Sequence, residues 1–262
     1  MLDLFDCVGL GSTCGGGMKR FEIGEVLSQT FRITFANLLP FAILVGVILI
    51  PQLVLGYVQL GMADLDVETD PLTTLFYAVL VMLGTLLSMV LVFVANGAIV
   101  YGVFQNLTGK QTALQECVRV GLRRLLPVIG VALVTGLLVT LGTLMLIIPG
   151  IILYVMFIAA VPAAVIERLG VGDALTRSRE LTRGYRWEVF FVGLLLSVIN
   201  MVIAGAVVGV AFSLPTEVSL ILNWLVQIFG TVLQATAMGV VYYELRSIKE
   251  PFDEDEIVAV FA

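Results

Sequence analysis

Between Arg124 and Glu167 the chain runs for 42 residues, Leu125 to Ile166, without one charged side chain. As a single helix at 1.5 Å per residue this run would reach ~63 Å, about twice the ~30 Å hydrocarbon core of a bilayer. It is therefore read as two membrane helices folded back on each other. The turn is expected at Pro149-Gly150, because proline and glycine both interrupt a helix. Composition points the same way: 60% of the 262 residues are hydrophobic and 13% charged, against about 45–50% and about 25% in soluble domains. Too little charge is available to cover a water-facing surface of this size. The class is all-α integral membrane.

Further apolar runs complete a six-helix transmembrane bundle, with spans expected at about 38–60, 75–104, 125–147, 151–166, 189–212 and 218–243. The first is expected to break at Pro51. An acidic loop with Asp64, Asp66, Glu68 and Asp70 separates the first pair. Residues 18–249 form one polytopic domain. The stretch 1–17 fits no targeting signal and shows no periodicity, so it is read as a disordered leader or a start assigned upstream of Met18. Residues 250–262 form an acidic tail. With six spans, all 14 basic residues fall on one side. Positive-inside makes that side cytoplasmic, with both termini there.

Three times, an amphipathic segment leads into a pair of spans. Ile23, Leu27, Phe31, Thr34 and Leu38 share one helical face; Leu114, Val118, Gly121, Leu122 and Leu125 share a second; Val171, Leu175, Ser178 and Leu181 share a third. The second opens with the capping-box spacing Thr112-x-x-Gln115. In the third, Asp173 and Arg177 are spaced for an i,i+4 pair and Gly184 for a C′ stop. The pattern is a pseudo-threefold repeat of interfacial helix plus helix pair. Each short helix is expected to lie on the cytoplasmic leaflet, apolar side in the acyl boundary. Arg119, Arg123, Arg124, Arg177, Arg179, Arg183 and Arg186 would then face anionic headgroups. The competing reading is that these segments are polar connectors packed on the bundle.

Chemistry is sparse. There is no histidine, and Cys7, Cys14 and Cys117 have no metal-ligand spacing. Neither a catalytic constellation nor a metal or cofactor set is visible, so the chain is read as non-enzymatic. Dispersed basic residues and the absence of a motif argue against nucleic acid. A net charge of −6 reflects mainly the Asp253–Glu256 run in the tail. No ionisable residue lies at the middle of a span, which counts against a proton-coupled carrier. Polar residues at depth are amides and hydroxyls. Asn223, Gln227, Thr231 and Gln234 form a stripe on span six, expected to face inward towards span five or two. Span five offers Gly193, Ser197, Asn200 and the Gly205-x-x-x-Gly209 pattern, and Asn96-Gly97 interrupts span two. This seam either lines a cavity or is the ordinary glue of helix packing in lipid. Cys117 is either an acylation point or a buried thiol.

Several segments resemble a known family: Phe21-Glu22-Ile23-Gly24-Glu25-Val26-Leu27-Ser28-Gln29-Thr30-Phe31, Ile148-Pro149-Gly150-Ile151, Val165-Ile166-Glu167-Arg168, Gly172-Asp173-Ala174-Leu175-Thr176-Arg177-Ser178 and Leu181-Thr182-Arg183-Gly184-Tyr185-Arg186-Trp187. They are similar to bacterial YciC-like proteins, related to the membrane domain of glycerophosphoryl diester phosphodiesterases. The resemblance implies an inner-membrane protein of about six spans without the phosphodiesterase barrel, whose histidine-dependent motif this chain cannot supply. Two functions follow as expectations. The first is a scaffold, partner-binding or envelope-maintenance component, with a membrane-protein partner or a second copy of itself. The alternative is a permease or lipid-handling protein with a neutral polar cavity near spans five and six. A sealed bundle would favour the first and a polar midplane cavity the second.

Overall fold

The computed structural model describes residues 21–63, 71–108, 114–211 and 213–250. The leader, the Asp64–Asp70 loop, Thr112 of the capping box and the tail beyond 250 lie outside the described residues. Among the described residues every regular element is an α-helix. In order these are α1 (Ile23–Ala36), α2 (Leu38–Ala63), α3 (Pro71–Leu107), α4 (Leu114–Arg123), α5 (Leu125–Met145), α6 (Ile147–Phe157), α7 (Ala160–Ile166), α8 (Val171–Thr182), α9 (Arg186–Ala211) and α10 (Thr216–Lys249). Six stretches are long and apolar enough to cross a membrane: Leu38–Leu60, Thr74–Leu107, Leu125–Met145, Ile147–Ile166, Arg186–Ala211 and Thr216–Lys249. The chain is a multi-pass helical membrane protein.

Boundaries differ from expectation where local chemistry permits it. The long apolar run folds back at Leu146, extended at φ −163° and ψ 142°, and not at Pro149-Gly150. Both residues instead enter the first turn of α6, where a proline has no intrahelical N–H bond to lose. Gly150 then closes the hairpin, since a Cβ there would sit 2.8 Å from Thr143 N. Nor does Pro51 break the first span; α2 runs through it. Membrane helices accept proline in their interior, and α2 is tied to α10 close by, where Trp224 Nε1 donates to Leu49 O at 3.2 Å. The helices α9 and α10 extend past their expected basic-side ends, to Arg186 and Lys249. Apolarity marks where a helix lies in lipid, and charged turns can continue it into water.

Glycines let the helices approach closely. A Cβ at Gly46 would meet Ile228 at 3.4 Å on the α2–α10 contact. One at Gly239 would meet Val103 at 3.0 Å on the α3–α10 contact, and one at Gly121 would lie 3.0 Å from Val94 O on the α3–α4 contact. The core these contacts surround is concentrated in one half of the bundle, the half nearest the arginines. Along α2 the last buried side chain is Leu49; along α9 it is Leu196. On α3 burial becomes continuous only around Val94–Val103, and on α10 it begins at Ile228. Beyond those points the far half presents large apolar residues such as Phe76, Leu83, Met201 and Val210 outward.

The short helices dock on the long ones. α4 packs on α3, α8 on α5, α6 and α7, and α1 on α9 and α10. This burial shifts the expected faces. On α4, Cys117 and Gly121 are buried while Leu122 is exposed, because the small residues suit close contact with α3. On α8, the face expected among acyl chains lies against protein: Ala174, Ser178, Leu181 and Thr182 are buried. Ser178 Oγ and Thr182 Oγ1 donate to Met156 O at 2.8 and 3.4 Å, where α6 gives way to α7. Gly184 follows α8 with φ +97°, the left-handed stop its position called for.

Candidate functional site

Where the packed half ends, the bundle opens into a cleft of about 510 Å³. Its floor is α10, contributing Val226, Gln227, Gly230, Thr231 and Gln234. One wall is Ser197, Asn200 and Ala204 of α9; the other is Leu49 and Gln52 of α2 with Val92 of α3. The i, i+4 spacing of Gln227 and Thr231, with Gln234 three residues on, places all three on one face. Gly230 on the same face lets α9 close in, as a Cβ there would lie 3.0 Å from Asn200 Oδ1.

The lining is neutral. Several of its polar groups are engaged within their own helices: Ser197 Oγ donates to Gly193 O at 2.7 Å, Asn200 Nδ2 to Leu196 O at 3.1 Å, and Thr231 Oγ1 to Gln227 O at 2.8 Å. Gln234 Nε2 donates to Tyr154 Oη of α6 at 3.1 Å. The side-chain amides of Gln52 and Gln227 are exposed and make no hydrogen bond among the described residues. A primary amide carries two donors and an acceptor, and acyl chains satisfy none of them. The cleft thus offers unfilled amide groups at mid-depth: Gln227 lies 11 residues into α10, about 16 Å from its start.

Of the six seam residues, Asn200, Gln227, Thr231 and Gln234 line this cleft. Asn223 does not; it is one turn nearer the acidic end, with Nδ2 donating to Ser219 O at 2.8 Å. Asn96 is also absent from the lining, and its neighbour Gly97 packs towards Val165, Gly121 and Val128. Sequence reasoning missed Gln52, where attention to Pro51 hid a lone amide in an apolar span. A Cβ on Gly205 or Gly209 would meet nothing within 4 Å, so their pattern joins no helices among the described residues.

The arginines divide into two groups. Arg119, Arg123, Arg179 and Arg183 are exposed at the basic end, and Arg124 is half-buried there. Arg177 is not free for headgroups. Its Nε is 3.0 Å from both oxygens of Glu167, and its Nη2 pairs with Glu250. The expected Asp173 pair is displaced by these partners. Tyr242 Oη donates to Glu167 Oε1 at 2.6 Å, and Arg246 Nε reaches Glu250 Oε2 at 3.3 Å. This clasp joins α8 to the end of α10 through Glu167, the residue after α7. The hydrogen bond from Arg177 holds the Glu250 carboxyl below its ordinary range. Burial, helped by Glu116, pushes the Cys117 thiol up, so this buried cysteine is a poor nucleophile. Among the described residues no group of His, Cys, Asp or Glu is placed to hold a metal ion.

Comparison with protein-family models, with curated proteins and with solved structures finds no match for this chain.

Proposed function

We propose that this protein is a membrane-embedded, non-enzymatic handler of neutral amphiphiles, and that the cleft between α2, α3, α9 and α10 is where it holds them. The observation that carries this reading is the pair of unpartnered amides, Gln52 and Gln227, facing one another's walls in a mid-depth cleft. About 510 Å³ falls within the common range of ~300–1,000 Å³ for ligand sites. A lining with no ionisable group favours an uncharged polar head over an anionic or cationic one. The apolar residues beyond the cleft suit the tails of the same molecule. Between the two functions expected from sequence, a polar cleft supports lipid handling over a sealed scaffold.

In the same proposal the protein resides in a bacterial inner membrane with both termini cytoplasmic, supported by the one-sided basic residues. Helices α1, α4 and α8 lie at headgroup depth on that side as parts of a pseudo-threefold repeat. That each packs on long helices, α4 on α3, α8 on α5 and α6, and α1 on α9 and α10, supports the repeat. Membership of the YciC-like group stands as part of this reading, on the motifs quoted above. Native mass spectrometry of the detergent-extracted protein with added dioleoylglycerol tests the binding. One retained adduct is expected, lost in the Gln52→Leu/Gln227→Leu variant and absent with phosphatidylcholine. Equal retention of both lipids, or no change in the variant, would defeat the reading.

A further inference from the structure

Nearer the basic end of α9 than the amide cleft, and sharing no lining residue with it, a second cavity of about 510 Å³ runs between α6 and α9. Its long wall is aliphatic: Ile148, Ile151, Ile152 and Val155 of α6. These span eight residues, about 10 Å of helix and most of one leaflet's hydrocarbon depth. At the basic end α9 supplies Arg186, Trp187 and Phe190. The Nε of Arg186 is buried without a hydrogen-bond partner, and no ion pair engages its guanidinium among the described residues. Trp187 is 74% exposed, and its ring meets Phe190 edge-on at 6.0 Å. An apolar trough with a cation and an indole at its mouth has the chemistry of a headgroup-level anchor.

We propose that this trough is a binding site for one anionic glycerophospholipid, its phosphate on Arg186 and one acyl chain along the α6 isoleucines. Charge complementarity selects the occupant. Guanidinium pairs with phosphate through charge-assisted hydrogen bonds, and the buried Nε lacks such a partner. A free phosphate ion would leave the aliphatic wall empty, whereas a phospholipid fills both parts. The site differs from the neutral cleft in residues, lining and preferred head, so either can fail without the other.

Trp187 reports on it directly, since the chain has only one other tryptophan. The full chain carrying Trp224→Phe is reconstituted in phosphatidylcholine vesicles containing a small fraction of brominated phosphatidylglycerol or of brominated phosphatidylcholine. Quenching of Trp187 should show a preference of roughly five-fold for the anionic lipid, the factor equivalent to about 1 kcal/mol for one basic residue near such a lipid. Arg186→Gln should abolish the preference and Arg186→Lys retain part of it. Ile152→Phe, which fills the trough and leaves Arg186 in place, should also reduce it, while Arg179→Gln on the exposed face of α8 should not. Equal quenching by the two lipids in the parent protein would overturn the proposal. So would a preference that survives Arg186→Gln, or one that Arg179→Gln removes equally.

Discussion

The two halves of this bundle are built from the same residue types and behave differently. At the basic end small residues bring helices together: Ala95, Ala98, Ala163, Ala164, Ala235 and Ala237 are all buried, and glycines sit at close crossings. Several polar groups there are paired, as in the Glu167–Arg177–Glu250 clasp. In the far half the small residues of α9, Gly205 and Gly209, meet nothing, and the large ones point outward. The amide cleft sits at the boundary between the two. Small residues therefore do not define an interface by themselves. They do so where the facing helix also presents a matching surface, and where that ends a polar stripe is left open.

The contrast can be broken most severely at the clasp. Glu167→Ala removes one of the two carboxylates on part-buried Arg177 and the acceptor of Tyr242 Oη, so a loss of about 2 kcal/mol is expected in denaturant unfolding followed by circular dichroism. A loss below about 1 kcal/mol would mean that the clasp is ornamental. Next comes Gly121→Val, where the new side chain meets backbone of α3. Overpacking of this kind costs about 1–3 kcal/mol. Its counterpart in the open half, Gly205→Val, should be near neutral in the same assay, and an equal loss would erase the distinction between the halves.

A smaller effect is expected from pH. Because Arg177 holds the folded-state carboxyl of Glu250 below its ordinary value, this group contributes stability above the usual carboxylate range. That contribution is lost as pH falls through the lowered value. Glu250 is 45% exposed, so screening keeps the effect small. Protection of the amides at the end of α10, taken relative to the intrinsic exchange rate at each pH, should fall on acidification, and Glu250→Gln should remove that acid dependence. An acid response unchanged in Glu250→Gln would assign it to another group. Smallest of all in stability is Gln227→Leu: its amide makes no hydrogen bond among the described residues, so the loss should stay below about 0.6 kcal/mol, the value of an interhelical polar contact in lipid. A loss several times larger would show that this amide packs and does not wait for a ligand.

The number and type of spans were legible because lipid imposes a requirement that one sequence can display: long apolar runs with no charge. The cleft was partly legible. Gln227, Thr231 and Gln234 repeat at helical spacing, and Asn200 stands alone on an apolar span. Gln52 gave no period, since one amide on α2 acquires meaning only when α10 packs beside it. The face of α8 was misread for a related reason. Amphipathic spacing reveals that a face is apolar, but not whether lipid or protein covers it, and on α8 it is the Met156 carbonyl that captures Ser178. Arg177 likewise found Glu167, ten residues away, before its helical neighbour.

The central claim, that the mid-depth cleft takes an uncharged head, is tested most directly by Trp224. This indole packs beside the cleft, 3.6 Å from a Cβ at Gly46 and bonded to Leu49 O. In the full chain carrying Trp187→Phe, dibrominated diacylglycerol in phosphatidylcholine vesicles should quench Trp224 more strongly than dibrominated phosphatidylcholine at the same fraction. Gln227→Leu should erase the difference. Quenching that is equal for the two lipids, or a difference that persists in Gln227→Leu, would contradict the account.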